Sequence, residues 1–277
     1  MALRPPLTNE ALNAFRCGLV LLGFVALPVR AQDAFEIQVY NAETAAPQAV
    51  GVEAHLNHFF VGSLLADGDE LPTNHVTHLT LEPHIGIADW CEAGGYFLSA
   101  IRADGTFDVA GLKLRFKVRW PKRLWGVLGL ALNHELSFTR NDYEAGQLAA
   151  EIRPVIDLQW ERLYLAANPI IAVPLGGAQA GSAAFEPSFK ASARVLPFLN
   201  VGAEYYAAFG PIRTPTPLAQ QAHRLFGALD FEWKWGRQSY AVNFGVGYGF
   251  TGPEKWIAKL IFSFDVDPPQ ALPADRS

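Results

Sequence analysis

Residues 112–119 read Leu-Lys-Leu-Arg-Phe-Lys-Val-Arg, with apolar side chains at even positions and Lys or Arg at odd ones. An α-helix has 3.6 residues per turn and would mix the two sets around its circumference. Successive side chains of a β-strand instead point to opposite faces. This stretch therefore predicts a strand with one apolar face and one cationic face.

The same period of two recurs along the rest of the chain. It predicts twelve strands, near residues 48–60, 75–87, 90–102, 107–119, 124–139, 146–160, 162–174, 184–196, 199–209, 222–235, 238–250 and 255–264. Strands of globular proteins typically have about 5–6 residues, whereas a tilted strand that crosses a bilayer needs about 9–11. The predicted strand lengths favour a membrane barrel over a soluble β-sandwich.

The connections between the predicted strands alternate in length, which also favours a membrane barrel. Every even-numbered connection is tight, whereas the first, fifth, seventh and ninth are longer, and the third and eleventh are short turns. Tight turns on one side and longer loops on the other are typical of outer-membrane barrels. Only helices and closed barrels can pair every backbone polar group within lipid. We therefore predict an all-β fold, a single antiparallel transmembrane up-and-down β-barrel of about 12 strands.

Four prolines lie inside predicted strands: Pro83, Pro154, Pro169 and Pro187. Proline has no backbone N–H and removes a hydrogen bond from a ladder. The alternation nevertheless continues through each proline. We therefore expect bulges or locally unpaired positions there.

The first 31 residues have the features of a secretory signal peptide. Arg4 and Arg16 precede an apolar run, residues 17–28, that ends shortly before Ala31. A membrane anchor would need about 20 apolar residues, more than this run has. We expect a signal peptide (1–31), an N-terminal periplasmic segment (32–47), the barrel (48–264) and a C-terminal tail (265–277). This organisation predicts export to a bacterial outer membrane, with outer-membrane lipid and the barrel assembly machinery as partners.

The composition and the net charge of the chain argue against some classes of function. Hydrophobic residues make up 50% and charged residues 18% of the chain, below the roughly 25% charged residues of an average globular protein. The formal net charge is −5, and removal of residues 1–31 would take away three arginines and one glutamate. A negative balance argues against nucleic acid as a partner. We expect no cofactor.

Side chains at alternate positions of a strand lie on opposite faces, and we call each alternate set a parity. If the apolar parity contacts lipid, the polar parity lines the lumen and places charges of both signs there. The candidates for lining the lumen are Lys113, Arg115, Lys117, Glu82, Glu135, Glu151, Arg153, Glu186, Lys190 and Arg194. The cations at 113–119 could attract anionic solutes into a pore. They could also pair with acids on neighbouring strands, such as Glu135 and Glu92, and we favour this second interpretation.

Five of the seven histidines fall between residues 55 and 84, and His55, His78 and His84 share the lumenal parity. If paired residues of the first hairpin have numbers that sum to about 135, Glu53 lies opposite Glu82. Such a polar cluster could bind a divalent metal or respond to pH. Its spacing matches no known metal motif, so we favour a hydrogen-bonded wall and assign no metal site.

Five stretches carry a resemblance to a known family: residues 34–43 (AFEIQVYNAE), 78–83 (HLTLEP), 104–113 (DGTFDVAGLK), 185–190 (FEPSFK) and 204–212 (EYYAAFGPI). The chain resembles an uncharacterised family of proteobacterial outer-membrane β-barrels that are often labelled transporters. It is similar to the group catalogued as membrane proteins of the meta-pathway of phenol degradation. The resemblance implies a barrel and a location, and it assigns neither catalytic residues nor a substrate.

The leading hypothesis is a passive pore or small-solute transporter with a charged lumen. The alternative is a structural or surface-interaction barrel whose lumen is plugged by its own side chains. An outer-membrane hydrolase would need a nucleophile, a base and an orienting group within reach of one another. Ser137 and Ser188 lie on the lumenal parity without such a context. We therefore expect no enzymatic activity.

Overall fold

The computed structural model describes residues 33–66, 68–144 and 147–268. The predicted signal peptide and residues 269–277 of the predicted tail lie outside the described residues. The strands are β1 (Val50–Phe59), β2 (Thr77–Ala88), β3 (Cys91–Ile101), β4 (Phe107–Arg119), β5 (Leu128–Thr139), β6 (Leu148–Trp160), β7 (Leu163–Asn168), β8 (Ile171–Pro174), β9 (Ala184–Phe185), β10 (Ser188–Leu196), β11 (Leu199–Ala208), β12 (Gly210–Pro211), β13 (Ala222–Trp235), β14 (Gln238–Gly249) and β15 (Trp256–Val266). A short 3₁₀ helix spans Leu218–Gln220. None of the described helical segments has the length and apolar character that a bilayer crossing requires.

The strands close into one antiparallel barrel. The first strand, β1, pairs with β2 on one side and with the last strand, β15, on the other. Three wall strands are interrupted and appear as two parts each. These pairs of parts are β7 with β8, β9 with β10, and β11 with β12. The described chain therefore forms a closed barrel of twelve strands, as the alternation predicted. In the first hairpin, Glu53 lies opposite Glu82, which is the predicted register.

The two faces of β4 show which side of the wall is apolar. Leu114 is 61% exposed on the outside of the barrel, whereas Arg115 is only 6% exposed. The same contrast repeats along the strand, with the apolar side chains exposed and the cations buried. Exposure of large apolar side chains is favourable only if hydrocarbon covers them. The outer surface is therefore the one suited to lipid, and the charged side chains lie inside.

Tryptophan side chains mark one rim of the barrel. Six of the seven tryptophans project outward near the tight turns, which we call the turn end: Trp90, Trp120, Trp125, Trp160, Trp233 and Trp235. Tryptophan is enriched where a membrane meets water, because its ring is amphipathic. This aromatic girdle indicates where one membrane interface would contact the barrel. The opposite rim, which carries the longer connections, is called the loop end below.

Substitution L114R tests whether lipid covers the outer face. Leu114 lies near the middle of β4, where we expect arginine to reduce the free energy of folding into a bilayer by about 2–4 kcal/mol. Urea unfolding in phosphatidylcholine vesicles measures the effect. The matched control, A103R, places the same side chain in the connection between β3 and β4. Equal losses in the two variants would contradict a lipid-facing position for Leu114.

Three prolines interrupt the wall along a single line. Pro154, Pro169 and Pro187 fall side by side on neighbouring strands, because the ladders on either side of them keep one register. The described ladders have no pair between Pro154 and Pro169 or between Pro169 and Pro187. Pro83 pairs with β1 but not with β3. The predicted loss of pairing at these prolines is confirmed.

The chain before β1 differs from the sequence-based expectation. The sequence predicts an N-terminal periplasmic segment at residues 32–47. Residues 33–49, called the lumenal segment below, instead lie inside the barrel, where Phe35, Glu36 and Ile37 are almost completely buried. The physical reason is that wall side chains from several strands hydrogen-bond to the backbone of this segment and offset its loss of water. At the other end, β15 extends to Val266, two residues beyond the predicted end of the barrel.

Candidate functional site: a charged lumen closed by the lumenal segment

The lumenal segment begins deep in the barrel, between β1, β2 and β15. The carbonyl oxygen of Ala34 accepts a hydrogen bond from Asn57 Nδ2 at 2.9 Å, and that of Phe35 accepts one from Thr80 Oγ1 at 3.0 Å. The Ile37 carbonyl accepts one from Lys259 Nζ at 3.0 Å. Side chains on the inner wall thus take the place of a neighbouring strand.

The segment then crosses to the opposite wall and leaves at the turn end. The Tyr40 amide donates to Asn168 Oδ1 at 2.7 Å, and the Ala42 amide donates to Asp157 Oδ2 at 2.9 Å. Near the rim, the Ala45 amide donates to Glu92 Oε2 at 2.6 Å. A buried amide without a partner would cost free energy, so each of these contacts stabilises the segment inside the lumen.

Apolar packing fills the half of the lumen on the loop side. Phe35 packs in one buried cluster, and Ile37 and Val39 pack in a second. Their partners on the wall and loops are Phe59, Val76, Tyr96, Leu98, Ala100, Ala110, Tyr143, Ala166, Tyr206, Phe226 and Ile257. The lumenal segment and these wall residues together close that half of the barrel.

Glu36 is the charged anchor of the segment, and its side chain is 0% exposed. Its Oε1 accepts a hydrogen bond from Arg153 Nη1 at 2.9 Å, and its Oε2 lies 3.5 Å from Lys113 Nζ. Hydrogen bonds between charged groups are about twice as strong as neutral ones. Glu36 was absent from the predicted lumen lining, because nothing in its local sequence indicates that the segment is enclosed.

Tyr40 forms a second buried contact in the middle of the segment. Its hydroxyl lies 2.7 Å from that of Tyr96, and the Arg153 guanidinium lies 4.4 Å from its ring centroid. Burial, reinforced by the nearby carboxylate of Glu36, raises the pKa of the Tyr40 hydroxyl well above its usual range. Tyr40 therefore remains neutral and keeps its hydrogen-bonding proton.

The cations of β4 are paired with acids. Lys113 Nζ lies 3.4 Å from Glu135 Oε2, and Arg115 Nη1 donates to Glu92 Oε1 at 2.8 Å. Lys117 Nζ lies 3.9 Å from the same oxygen of Glu92. The interpretation that these cations pair with neighbouring acids is confirmed. They are not free charges that line an open channel.

A second ionic network lies on the other side of the lumen. Glu204 forms ion pairs with Lys259 and, at 3.0 Å, with Lys190, and Tyr206 donates its hydroxyl to Glu204 at 2.6 Å. Lys190 also donates to Asp230 Oδ1 at 2.6 Å. Of these residues, only Lys190 is among the ten named candidates for lining the lumen. Alternation places Glu204 and Lys259 on the lumenal parity, but their contact joins strands that are not neighbours, which no local pattern indicates.

The remaining candidates lie at different depths. Arg153 donates to Glu151 Oε1 at 2.7 Å, close to the middle of the barrel. Glu186 is half-buried where the wall strand is interrupted between β9 and β10. Arg194 is exposed and lines a cavity near the turn end. Glu82 lies against Arg115, with 2.7 Å between Glu82 Oε1 and Arg115 Nε.

The three lumenal histidines have separate partners. His84 Nε2 lies 2.7 Å from Asp265 Oδ1, and the His78 ring packs edge-on against Phe35, 4.7 Å between centroids. His55 lies between two carboxylates on β1 and β2. The structure therefore spreads the predicted polar cluster along the wall rather than gathering the three rings at one point.

A cavity of about 800 Å³ occupies the turn end of the lumen. One side is formed by the lumenal segment, and the rest of the lining carries both signs of charge, including Lys117, Lys190, Arg194, Glu53, Glu92 and Glu232. The lining extends to the turns at this rim, such as Glu161 and Arg162. The half of the lumen at the turn end is thus roomy and polar, whereas the other half is filled.

Comparison with known proteins supports the barrel. An outer-membrane channel from Pseudomonas putida F1 aligns with a TM-score of 0.57 and 10% sequence identity, over 83% of this chain and 100% of the channel. The NanC porin (TM-score 0.49, 7% identity) and the KdgM porin (TM-score 0.48, 8% identity) each cover 79% of this chain, over 100% and 99% of their own lengths. No protein-family model and no curated protein matches the sequence. The similarity to the Pseudomonas putida channel, with its TM-score above 0.5, supports a shared barrel fold.

Proposed function

We propose that this chain is an outer-membrane channel for small polar solutes, closed in this structure by the lumenal segment and opened when that segment leaves the lumen. One observation carries the proposal: an 800 Å³ charged cavity ends against a segment of the chain rather than against the wall. A barrel with a purely structural role has no need of such a cavity. The apolar outer face and the aromatic girdle support the membrane location.

The mode of attachment makes the segment suitable as a gate. None of its residues forms a strand, and among the described residues its covalent link to the wall is the bond between Ala49 and Val50. Most of its polar contacts with the wall are made to side chains, which can exchange for water. Loss of the segment would leave the ladders between the wall strands intact.

The charge pattern of the cavity favours zwitterionic or neutral polar solutes over simple anions or cations. Lys190 and Arg194 lie on β10, whereas Glu53 lies on β1, and all three line the cavity. A lining of both signs attracts neither sign of ion strongly at long range, but it can pair with both ends of a zwitterion. The resemblance to barrels labelled transporters supports the same class of function.

Deletion of residues 34–46 tests the channel proposal. The full chain and the deletion variant are reconstituted in planar bilayers, and single-channel conductance is recorded. We expect low conductance or rare openings for the full chain and a steady, larger conductance for the variant, because the deletion removes the material that fills the lumen. Slower migration after heating in SDS gels verifies that each barrel is closed before recording.

Two outcomes would contradict the proposal. A folded deletion variant without conductance would show that wall side chains alone fill the lumen, which is the property of a structural barrel. Equal conductance of the two proteins would show that the segment does not control passage. Vesicle swelling with glycine, glucose and acetate then compares zwitterionic, neutral and anionic solutes.

A further inference from the structure

Three potential metal ligands meet on the lumenal face of the first hairpin. Glu53 and His55 are two residues apart on β1 and therefore point to the same side of the wall, and Glu82 lies opposite Glu53 on β2. One ligand atom from each side chain lies within 4.8 Å of the other two. The hairpin register thus brings one imidazole nitrogen and two carboxylates to a single point.

The separations are those of ligands around a common ion. His55 Nε2 lies 3.5 Å from Glu53 Oε2 and 3.5 Å from Glu82 Oε2. Well-formed hydrogen bonds between such atoms span about 2.7–3.2 Å. Two ligands that each bind a tetrahedral ion at about 2.1 Å are roughly 3.4 Å apart. The observed spacing therefore fits coordination better than direct hydrogen bonding.

Two of the three ligand residues, His55 and Glu82, have buried ligand atoms without a hydrogen bond. The His55 side chain is 0% exposed, and neither of its ring nitrogens has a hydrogen-bond partner among the described residues. Glu82 Oε2, which faces His55, is likewise buried and without a hydrogen bond. Burial of unsatisfied polar atoms costs free energy, which a bound ion would offset.

Neighbouring groups hold the two carboxylates in position. Arg115 Nε lies 2.7 Å from Glu82 Oε1, and Ser263 Oγ donates to Glu53 Oε1 at 3.2 Å. Each contact occupies the oxygen that points away from His55. Supporting groups of this kind orient the ligands of metal sites. The positive charge of Arg115 offsets the negative charge of one carboxylate, Glu82. The other carboxylate, Glu53, would still attract a divalent cation.

We propose that Glu53, His55 and Glu82 bind a divalent first-row transition-metal ion, for which Zn²⁺ is the probe. The donor set explains the class, because imidazole favours such ions over Mg²⁺ and Ca²⁺, which prefer oxygen ligands throughout. Glu53 and Glu82 line the 800 Å³ cavity, so solvent and ions reach the site from the turn end. The site also adjoins the lumenal segment, since Gln38 Nε2 donates to Glu53 Oε2 at 3.2 Å.

Calorimetric titration with Zn²⁺ tests the site. The full chain in detergent is stripped with a chelator and titrated with ZnCl₂, and MgCl₂ is titrated separately. We expect one Zn²⁺ per barrel and no comparable binding of Mg²⁺. Substitution H55Q removes the imidazole ligand and should weaken Zn²⁺ binding by at least ~10-fold. Loss of a group that merely supports a ligand already lowers metal affinity by about 10–100-fold. Titration with Co²⁺ should give the visible absorption bands of a tetrahedral site in the full chain and not in H55Q.

The control is H134Q, the same substitution on the outer face of β5. H134Q should bind Zn²⁺ like the full chain. Equal binding by the full chain, H55Q and H134Q would place the ion on other histidines and overturn the proposal, as would the absence of binding by the full chain. If H55Q fails to close, as judged by gel migration, E53Q replaces it, and unchanged binding by E53Q has the same meaning.

Discussion

Substitution E204A should destabilise the folded barrel by about 3–5 kcal/mol, the loss found when one partner of a buried ion pair is removed. Glu204 is the acid that pairs with Lys259, whose side chain is 0% exposed. Without Glu204, the ammonium group of Lys259 would keep, among the residues that the structure describes, the Ile37 carbonyl and the Tyr206 hydroxyl as hydrogen-bond partners. An ammonium group in a poorly hydrated interior without a counter-charge is strongly unfavourable.

A double substitution separates this effect from a simple loss of packing. E204L combined with K259M replaces both charges with apolar groups of similar size. Such replacements of buried ion pairs are often neutral or stabilising. We expect urea unfolding in lipid vesicles to show a large loss for E204A and recovery of most of that loss in the double variant. A double variant as unstable as E204A would contradict the assignment of the cost to the unpaired Lys259.

If the lumenal segment gates the proposed channel, substitution E36A should raise its open probability by roughly 100-fold, which corresponds to about 3 kcal/mol lost from the closed state. Glu36 links the lumenal segment to Arg153 and Lys113. Both cations have other acids, since Arg153 also pairs with Glu151 and Lys113 also pairs with Glu135. Arg153 and Lys113 therefore remain paired with acids of the wall after the substitution. The free energy that is lost is that of holding the lumenal segment in place.

Single-channel recording of E36A beside E43A measures this effect. Glu43 belongs to the same segment and pairs with Arg119 and Arg123, but its side chain is 45% exposed at the rim. Exposed ion pairs contribute about 0–1 kcal/mol, so E43A should change the open probability much less than E36A. The same open probability in both variants and in the full chain would show that Glu36 does not anchor a gate.

The sequence was sufficient for the wall of the barrel because the wall is a local pattern. Strict alternation in residues 112–119 defined the inner and outer faces of β4, and the tight turns defined which strands are neighbours. The pairing of Arg115 with Glu92 could be predicted because β3 and β4 are adjacent. Contacts between neighbouring strands follow from turn length and parity.

The contents of the lumen could not be predicted in the same way. Residues 35–40 alternate as an ordinary strand would, with Phe35 and Ile37 on one parity and Glu36 on the other. Both parities are buried, because the wall surrounds the segment on all sides. The ion pair of Glu204 with Lys259 likewise spans strands that are not adjacent. Enclosure and contacts across the lumen depend on the closed shape, which short-range periodicity does not describe.

The direct continuation of the lumenal segment into β1 has a consequence for biogenesis. β1 forms the seam of the barrel with β15, the last of the described strands, so the seam can form only after all the strands between them have been made. Because the segment is continuous with β1, it becomes enclosed either as this seam closes or after it has closed. The ion pairs of Glu36 with Arg153 on β6 and Lys113 on β4 can therefore be complete only once those strands stand in the barrel wall.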